Sequence, residues 1–302
     1  MTRVRGIRVT GRPGQKSGLA LLAAWAALGA AGASRAVEPP QPVPPAPNAA
    51  VRQIQQTELA FAQAVGQTGI AAGFRKYAGP GAIMFLPDPT PAMPYLQTAH
   101  SPGELAWRAQ YIGVAPSDDL AFSLGPSLYK AAGKAEGGFY LTIWRRGPDG
   151  AWLFALDHSV DMPAVVFEGP PAPPTILTID PAAKPDESQG LREADAGLDM
   201  SLSKEPTPTV FEPRLDDQAL VVRANRPVAS GKRKALKLLA EAPPIVEAQL
   251  MGAGLSADGL LGYTYGKARW TTATGMQPGY YVRVWRNAGQ GWRLLVDHLA
   301  ER

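Results

Sequence analysis

Only three histidines occur in the 302 residues, and two of them close the same phrase. Trp152 through Asp157-His158 returns as Trp292 through Asp297-His298. An imidazole titrates near neutrality and can take or give a proton, so His158 and His298 are candidates for acid–base work. A strand-end histidine hydrogen-bonded to a neighbour is the scaffold alternative, and its presence in both phrases suits an inherited fold feature equally well. His100 precedes Ser101 in a Pro-rich stretch, where a loop would carry it at a pocket mouth or leave it solvated. Asp88, between Pro87 and Pro89 after the apolar run Ala82–Leu86, is the acid candidate, since burial would raise its pKa. A turn aspartate beside proline is its plainer explanation. The sequence has no cysteine, which removes disulfides, thiol nucleophiles and thiolate metal sites. Gly-x-Ser-x-Gly is absent. The histidines are too far apart for a close-spaced ligand motif, so neither a metal nor another cofactor is expected. Gly11 to Ser17 lacks the glycine that directly precedes the lysine of a phosphate-binding loop.

The elements that would position these residues are themselves repeated. Gly138-Phe139-Tyr140-Leu141-Thr142-Ile143-Trp144-Arg145 is echoed by Gly279-Tyr280-Tyr281-Val282-Arg283-Val284-Trp285-Arg286. The offset is 141 residues at the tryptophan and 140 at the closing histidine. A period this long is a whole domain, not a solenoid repeat. Proline marks the boundaries. Residues 37–47 are a stiff spacer and residues 169–187 a linker, which leaves copy 1 at 48–168 and copy 2 at 188–302. Whether Thr175 to Ile179 adds an edge strand stays open.

Residues 1–36 read as a cleavable signal peptide. Arg3, Arg5, Arg8, Arg12 and Lys16 form a basic head, Leu19 to Ala31 an uncharged run too short to span a bilayer comfortably, and small residues follow. Cleavage after Ala33 or Ala36 would release a periplasmic or secreted chain with no stable membrane span. The leader carries six basic residues and no acid, leaving 24 basic against 26 acidic, a formal charge of −2. Nucleic-acid binding, which needs a concentrated basic face, is therefore not expected.

Each copy opens with a helix. Asn48 is a candidate cap, and Ile54, Glu58, Phe61 and Val65 share one face. A shorter helix carries Ile70, Phe74 and Tyr77. The strand Ala82–Leu86 and a rigid Pro-rich loop follow, and Ser101-Pro102-Gly103-Glu104 predicts a further helix start. Tyr111–Ala115, Leu120–Lys130, Phe139–Arg146 and Trp152–His158 read as strands. Copy 2 repeats the order, with a helix through Leu191, Ala194, Asp195, Leu198 and Leu202. Its helix from Ala235 is capped by Ser230, and Ile245–Met251, Leu260–Thr272, Tyr280–Arg286 and Trp292–His298 are strands. This is an α+β class: two tandem cone-shaped domains, each a curved antiparallel sheet covered by N-terminal helices. Strand parity places Trp152, Phe154, Leu156 and His158, like Trp292, Leu294, Val296 and His298, on the inner face. Asp157, Asp297 and the row Tyr140, Thr142, Trp144 then fall outside. An outer face so rich in aromatics would need a cover, which predicts that the copies pack sheet to sheet within one chain.

The hairpin Tyr-x-x-x-Trp-Arg, turn, Trp and closing Asp-His resembles the last hairpin of nuclear transport factor 2-like proteins, in particular the SnoaL-like and ketosteroid-isomerase-like branch. Ser117 to Gly125 and Ser256 to Gly266 are similar to the preceding strand of that family. The resemblance covers nearly the whole of both copies. It implies a cone wrapped around a pocket, and it implies an acid such as Asp88 as a proton shuttle if the domain is an isomerase. Residues that would line such pockets are Tyr77, Phe85, Trp107, Phe154, His158, Trp292 and His298. The fold hosts many functions, so it does not choose among them. The preferred reading is a non-catalytic binding module for a small hydrophobic molecule or partner. The alternatives are an isomerase-, cyclase- or hydrolase-like enzyme with acid–base chemistry in copy 1, and a structural pseudo-dimer with vestigial pockets. A carboxylate or histidine converging on tyrosine in an open cavity favours the enzyme, an apolar cavity favours binding, and filled cones favour the scaffold.

Overall fold

The computed structural model describes residues 49–168, 171–287 and 289–302. The leader, the spacer 37–47 and the Asn48 cap lie outside the described residues. Among the latter, no helix is long and apolar enough to cross a membrane.

The first half runs α1 (Ala49–Thr68), α2 (Ile70–Tyr77), β1 (Ala78–Phe85), β2 (Pro89–Pro91), α3 (Ala92–Thr98), β3 (Glu104–Trp107), β4 (Tyr111–Val114), β5 (Leu120–Ala131), β6 (Lys134–Arg146) and β7 (Trp152–Met162). After β8 (Thr175–Ile176) the second half runs α4 (Leu191–Lys204), β9 (Leu215–Arg223), β10 (Ala229–Ser230), α5 (Lys232–Glu241), β11 (Ile245–Leu255), β12 (Leu261–Thr272), β13 (Gly275–Asn287) and β14 (Trp292–Glu301). The architecture is α+β with one sheet per half. The first is ordered β2-β1-β7-β6-β5-β4-β8, with β3 paired to β5, and the second β10-β9-β14-β13-β12-β11. Long antiparallel hairpins dominate, while β1–β7 and β9–β14 are parallel.

In each half the helices cover one sheet face. Ile54, Phe61 and Val65 of α1 bury against Trp144, Phe154 and Ala121, as their helical spacing requires. Leu191, Leu198 and Leu202 of α4 bury against Trp285 and Leu294. The opposite faces share one core: Phe122, Leu141, Ile143 and Leu156 with Val222, Val282, Val284 and Val296. Each such side chain contributes about 1.5–3 kcal/mol on full burial. The turns entering β5 and β12 exchange matching bonds. Ser117 N donates to Asp258 Oδ2 at 2.7 Å, and Ala257 N donates to Asp119 Oδ2 at 3.1 Å.

Three local expectations change, and the open point at Thr175 to Ile179 resolves as a short strand. Residues 104–107 form strand β3 instead of a helix, because Gly103 at φ 111° turns the chain onto the open edge of β5, where Leu105 pairs Tyr129. The stretch read as a rigid loop contains α3. Gly231 (φ 89°), not Ser230, is the N-cap of α5, and Ser230 pairs Leu220 in the sheet. The linker is more than a spacer, since Thr175–Ile176 pairs β4 and Leu177 and Ile179 enter the shared core.

The largest change concerns strand faces. Trp144 pairs Phe154 but Ile143 pairs Leu156, so Ala155 is bulged out of register. A bulge inserts one residue and inverts alternation beyond it. Trp152 and Phe154 therefore face the helices, whereas Leu156 and His158 face the other sheet. Asp157 turns inward with Tyr140, Thr142 and Trp144. Copy 2 has the same bulge at Leu295, between the pairs Trp285–Leu294 and Val284–Val296.

Candidate functional site

Inside the first cone lies a small cavity of about 90 Å³. Phe61 and Phe74 from the helices, Trp107 from β3, Tyr140 and Thr142 from β6 and Asp157 from β7 line it. Phe61 meets Phe74 edge-on at 4.8 Å and Trp107 at 4.7 Å, giving a continuous aromatic wall. Thr142 Oγ1 donates to Asp157 Oδ2 at 2.7 Å, and among the described residues none donates to Asp157 Oδ1. Burial pushes the Asp157 carboxyl up to about 6, against the Thr142 bond and with help from the nearby Glu58 charge.

Glu58 stands behind this wall, buried in the apolar stripe of α1. It accepts bonds from Ser123 Oγ, from Trp107 Nε1 at 2.7 Å and from Tyr140 OH at 3.2 Å, while Trp144 Nε1 donates to Ser123 at 2.8 Å. Burial raises its pKa and these donors oppose the rise. The arrangement fixes the tilt of Trp107 and Tyr140.

Copy 2 repeats the set with one decisive exchange. The cross-strand row Ser123–Thr142–Asp157 corresponds to Thr264–Arg283–Asp297. Asp195 takes the place of Glu58, accepting from Thr264 Oγ1 at 2.8 Å and Tyr281 OH at 2.7 Å. Arg283, 0 % exposed, fills the space that is open in copy 1. Its Nη1 reaches Asp195 at 2.8 Å and Asp199 at 2.7 Å, and its Nε reaches Asp297 at 3.3 Å. The guanidinium carbon lies 4.0 Å from the Tyr281 ring centroid. Arg223 also pairs with Asp297. Against burial, which raises it, the two arginines hold the Asp297 carboxyl below its ordinary range.

The structure distributes the sequence-derived candidates over five places. Trp107 lines the cavity, with Tyr77 (4.8 Å from Phe61) and Phe154 (6.2 Å) packed behind it. His158 and His298 meet between the sheets, Nδ1 to Nδ1 at 2.8 Å, with the Phe85 ring 4.6 Å from His158. His298 Nε2 lies 3.0 Å from the Phe139 carbonyl and therefore carries its proton there. His158 Nδ1 must then be the donor to His298 Nδ1, leaving His158 Nε2 a buried acceptor with no partner. Burial pushes both imidazoles down, His298 to about 3. Trp292 belongs to the second core, its Nε1 bonded to the Gln189 carbonyl at 3.1 Å. Asp88 clasps the two halves: Arg302 donates to it twice, at 2.7 and 2.9 Å, and Tyr280 OH once, at 2.7 Å. These bonds hold its carboxyl below the ordinary range. His100 is exposed between α3 and β3, outside the cavity.

Sequence reasoning missed Asp157 as a cavity residue because the bulge inverts its face. It missed Tyr140 and Thr142 because the β6 row they share with Trp144, expected on the outer face, packs under the helices. Glu58 did leave a signal, as a carboxylate within an apolar helical stripe. Among the described residues no cluster of His, Asp or Glu could hold a metal ion.

No family model and no curated protein matches the chain. Among solved structures, it is similar to a nuclear transport factor 2-like protein of unknown function from Pseudomonas putida KT2440. The identity is 13%, the TM-score 0.31, and the match covers 36% of this chain and 82% of that one. It is also similar to a ketosteroid isomerase-like protein from Erwinia carotovora atroseptica SCRI1043, at 13% identity and TM-score 0.32, over 37% of this chain and 92% of that one. A protein of unknown function with a cystatin-like fold from Nostoc punctiforme PCC 73102 is similar at 12% identity and TM-score 0.30, over 37% and 88% of the two chains.

Proposed function

We propose that copy 1 is a binding module for a small, largely apolar molecule, and that copy 2 supports it. The observation that carries this reading is the contrast between the two cones. One holds an aromatic cavity with a single available carboxylate oxygen, and the other is filled by Arg283. An aromatic wall with a few polar groups, here Asp157 with the hydroxyls of Ser127 and Ser159, is the usual composition of a small-molecule site. Asp157 Oδ1 would accept a hydrogen bond from the ligand while Phe61, Phe74 and Trp107 enclose its body. Mass spectrometry of the purified protein under native conditions is expected to detect a retained molecule. No retained molecule, together with no thermal shift across a lipid, steroid and polyketide-like panel, would count against the reading.

A second reading, proton transfer, is favoured by Asp157 and Tyr140 lining one cavity and by the Asp157 pKa near 6. It stands second because the Tyr140 hydroxyl donates to Glu58 at 3.2 Å and not to Asp157. A carboxylate so placed is ionised at neutral pH and basic enough to take a proton from an activated C–H. Deuterium exchange into a small enolisable ketone would follow, rising through pH 6 and abolished in Asp157→Asn. Exchange equal in wild type and variant would remove Asp157 from that role.

We also propose export with removal of the leader. Fractionation and N-terminal sequencing are expected to find a mature chain beginning at Ser34 or Val37 outside the cytoplasm.

A further inference from the structure

We infer that the open cone of copy 1 is a receptor for an organic cation: a protonated amine or guanidinium group carried on a small apolar body. The inference rests on the ligand-binding reading above and names the chemical class of the ligand. Its strongest support is internal. Copy 2 holds a cation in the corresponding place, the Arg283 guanidinium, seated between Asp195 and Asp297 and over the Tyr281 ring. Copy 1 keeps each of these partners in the same register, with Glu58 for Asp195, Asp157 for Asp297 and Tyr140 for Tyr281. It lacks the cation, because Thr142 stands where copy 2 has Arg283. It also lacks the acid Asp199, since Ala62 follows Glu58 at the same four-residue spacing, so Glu58 and Asp157 are the two acids left to a guest.

The rest of the cavity suits such a guest. Two carboxylates lie in or directly behind it, and among its lining residues there is no Lys, Arg or His. Asp157 Oδ1 is available to a charged N–H donor, and hydrogen bonds between ionised partners are about twice as strong as neutral ones. Aromatic faces attract ammonium and guanidinium groups further when water is excluded. A neutral guest of equal shape gains the apolar contacts but leaves the carboxylate without a counter-charge. An anion meets the acids directly and is excluded.

The test uses the full chain with benzylamine, which is protonated at pH 7.5, and benzyl alcohol, its neutral counterpart. Calorimetric titration and thermal unfolding are the readouts. Benzylamine is expected to bind about tenfold tighter than the alcohol. Thr142→Arg copies the plug of the second cone and is expected to abolish amine binding, with its fold confirmed by circular dichroism. Asp157→Asn, nearly isosteric, is expected to bring the amine down to the level of the alcohol. Equal or tighter binding of the alcohol overturns the cation inference and leaves the small-molecule reading standing. Amine binding that survives both substitutions places the site elsewhere and overturns the inference. No binding of either probe overturns the cation inference, and the lipid, steroid and polyketide-like panel then decides the small-molecule reading.

Discussion

Asp157 shows how one residue's chemistry follows from the face it occupies. On the shared face it would be a carboxylate pressed among Leu141, Ile143 and Val282 with no donor to meet it. On the helix face it finds Thr142 and an aromatic cavity. Its folded pKa of about 6 lies above the unfolded value of about 3.9. Between those values the folded chain holds a proton that the unfolded chain has lost. Stability from this group is therefore complete below pH 4 and falls as pH rises through 6, by about 1–3 kcal/mol. Asp157→Asn removes the step. Urea unfolding from pH 3.5 to 8 is expected to show wild type and variant diverging across that window and running parallel above it. A constant difference throughout would mean that the carboxyl is not perturbed. Arg283 illustrates the reverse case, a buried charge retained because acids surround it. Breaking such a cluster costs more than the cluster itself contributes.

At the scale of elements, the site depends on interruptions. The edge that β11 forms continuously in copy 2 is split in copy 1 into β3 and β4, and the split sets Trp107 on a four-residue strand. Gly125 permits it, because a Cβ there would lie 2.1 Å from the Arg108 carbonyl oxygen. Gly125→Ala is expected to push β3 away from β5, at a cost of about 1–3 kcal/mol. Hydrogen exchange at residues 104–107 should rise, and ligand retention should fall. Unchanged exchange would show that the split tolerates a methyl group. Much of this level was legible in sequence. Long alternating strands and the apolar face of α1 are local signals, and each placed an element close to its observed bounds. The cavity was not legible, because a bulge at Ala155 has no residue signature and inverts every later side chain. For the same reason His158 read as a pocket residue and Asp157 as a surface one. The helix expected at Ser101 failed to a competing tertiary partner, the free edge of β5, which no local pattern reports.

At the scale of the whole molecule, the two halves meet through one apolar core with a histidine pair at its centre. Both imidazoles are buried neutral, with folded pKa values below the unfolded value of about 6.5. Their contribution is complete above pH 6.5 and is lost as pH falls towards 3, because only the unfolded chain takes up the protons. Two such groups give a slope of up to about 2.7 kcal/mol per pH unit. Unfolding followed from pH 7 to 4 is expected to show this loss, and a His158→Leu/His298→Leu double variant should lack it. Equal acid sensitivity in both proteins would assign the loss to other groups. Expressed apart, each half would expose the face bearing Leu141 and Ile143 or Val282 and Val284, so the separate halves are expected to associate or aggregate. Halves that stay soluble and indifferent to each other would refute that.

The reciprocal bonds between the turns at Ser117 and Ala257 describe a nearly twofold object made from a single polypeptide. In an assembly of two identical subunits, every substitution is written twice, and a plug in one cavity is a plug in both. Joining the subunits end to end removes that obligation. Thr142 and Arg283 occupy matching positions in register, yet each is encoded once, so one cavity could close around its own guanidinium while the other stayed open. Covalent linkage thus gives this chain a freedom that symmetry denies to a homodimer: a division of labour between otherwise equivalent halves.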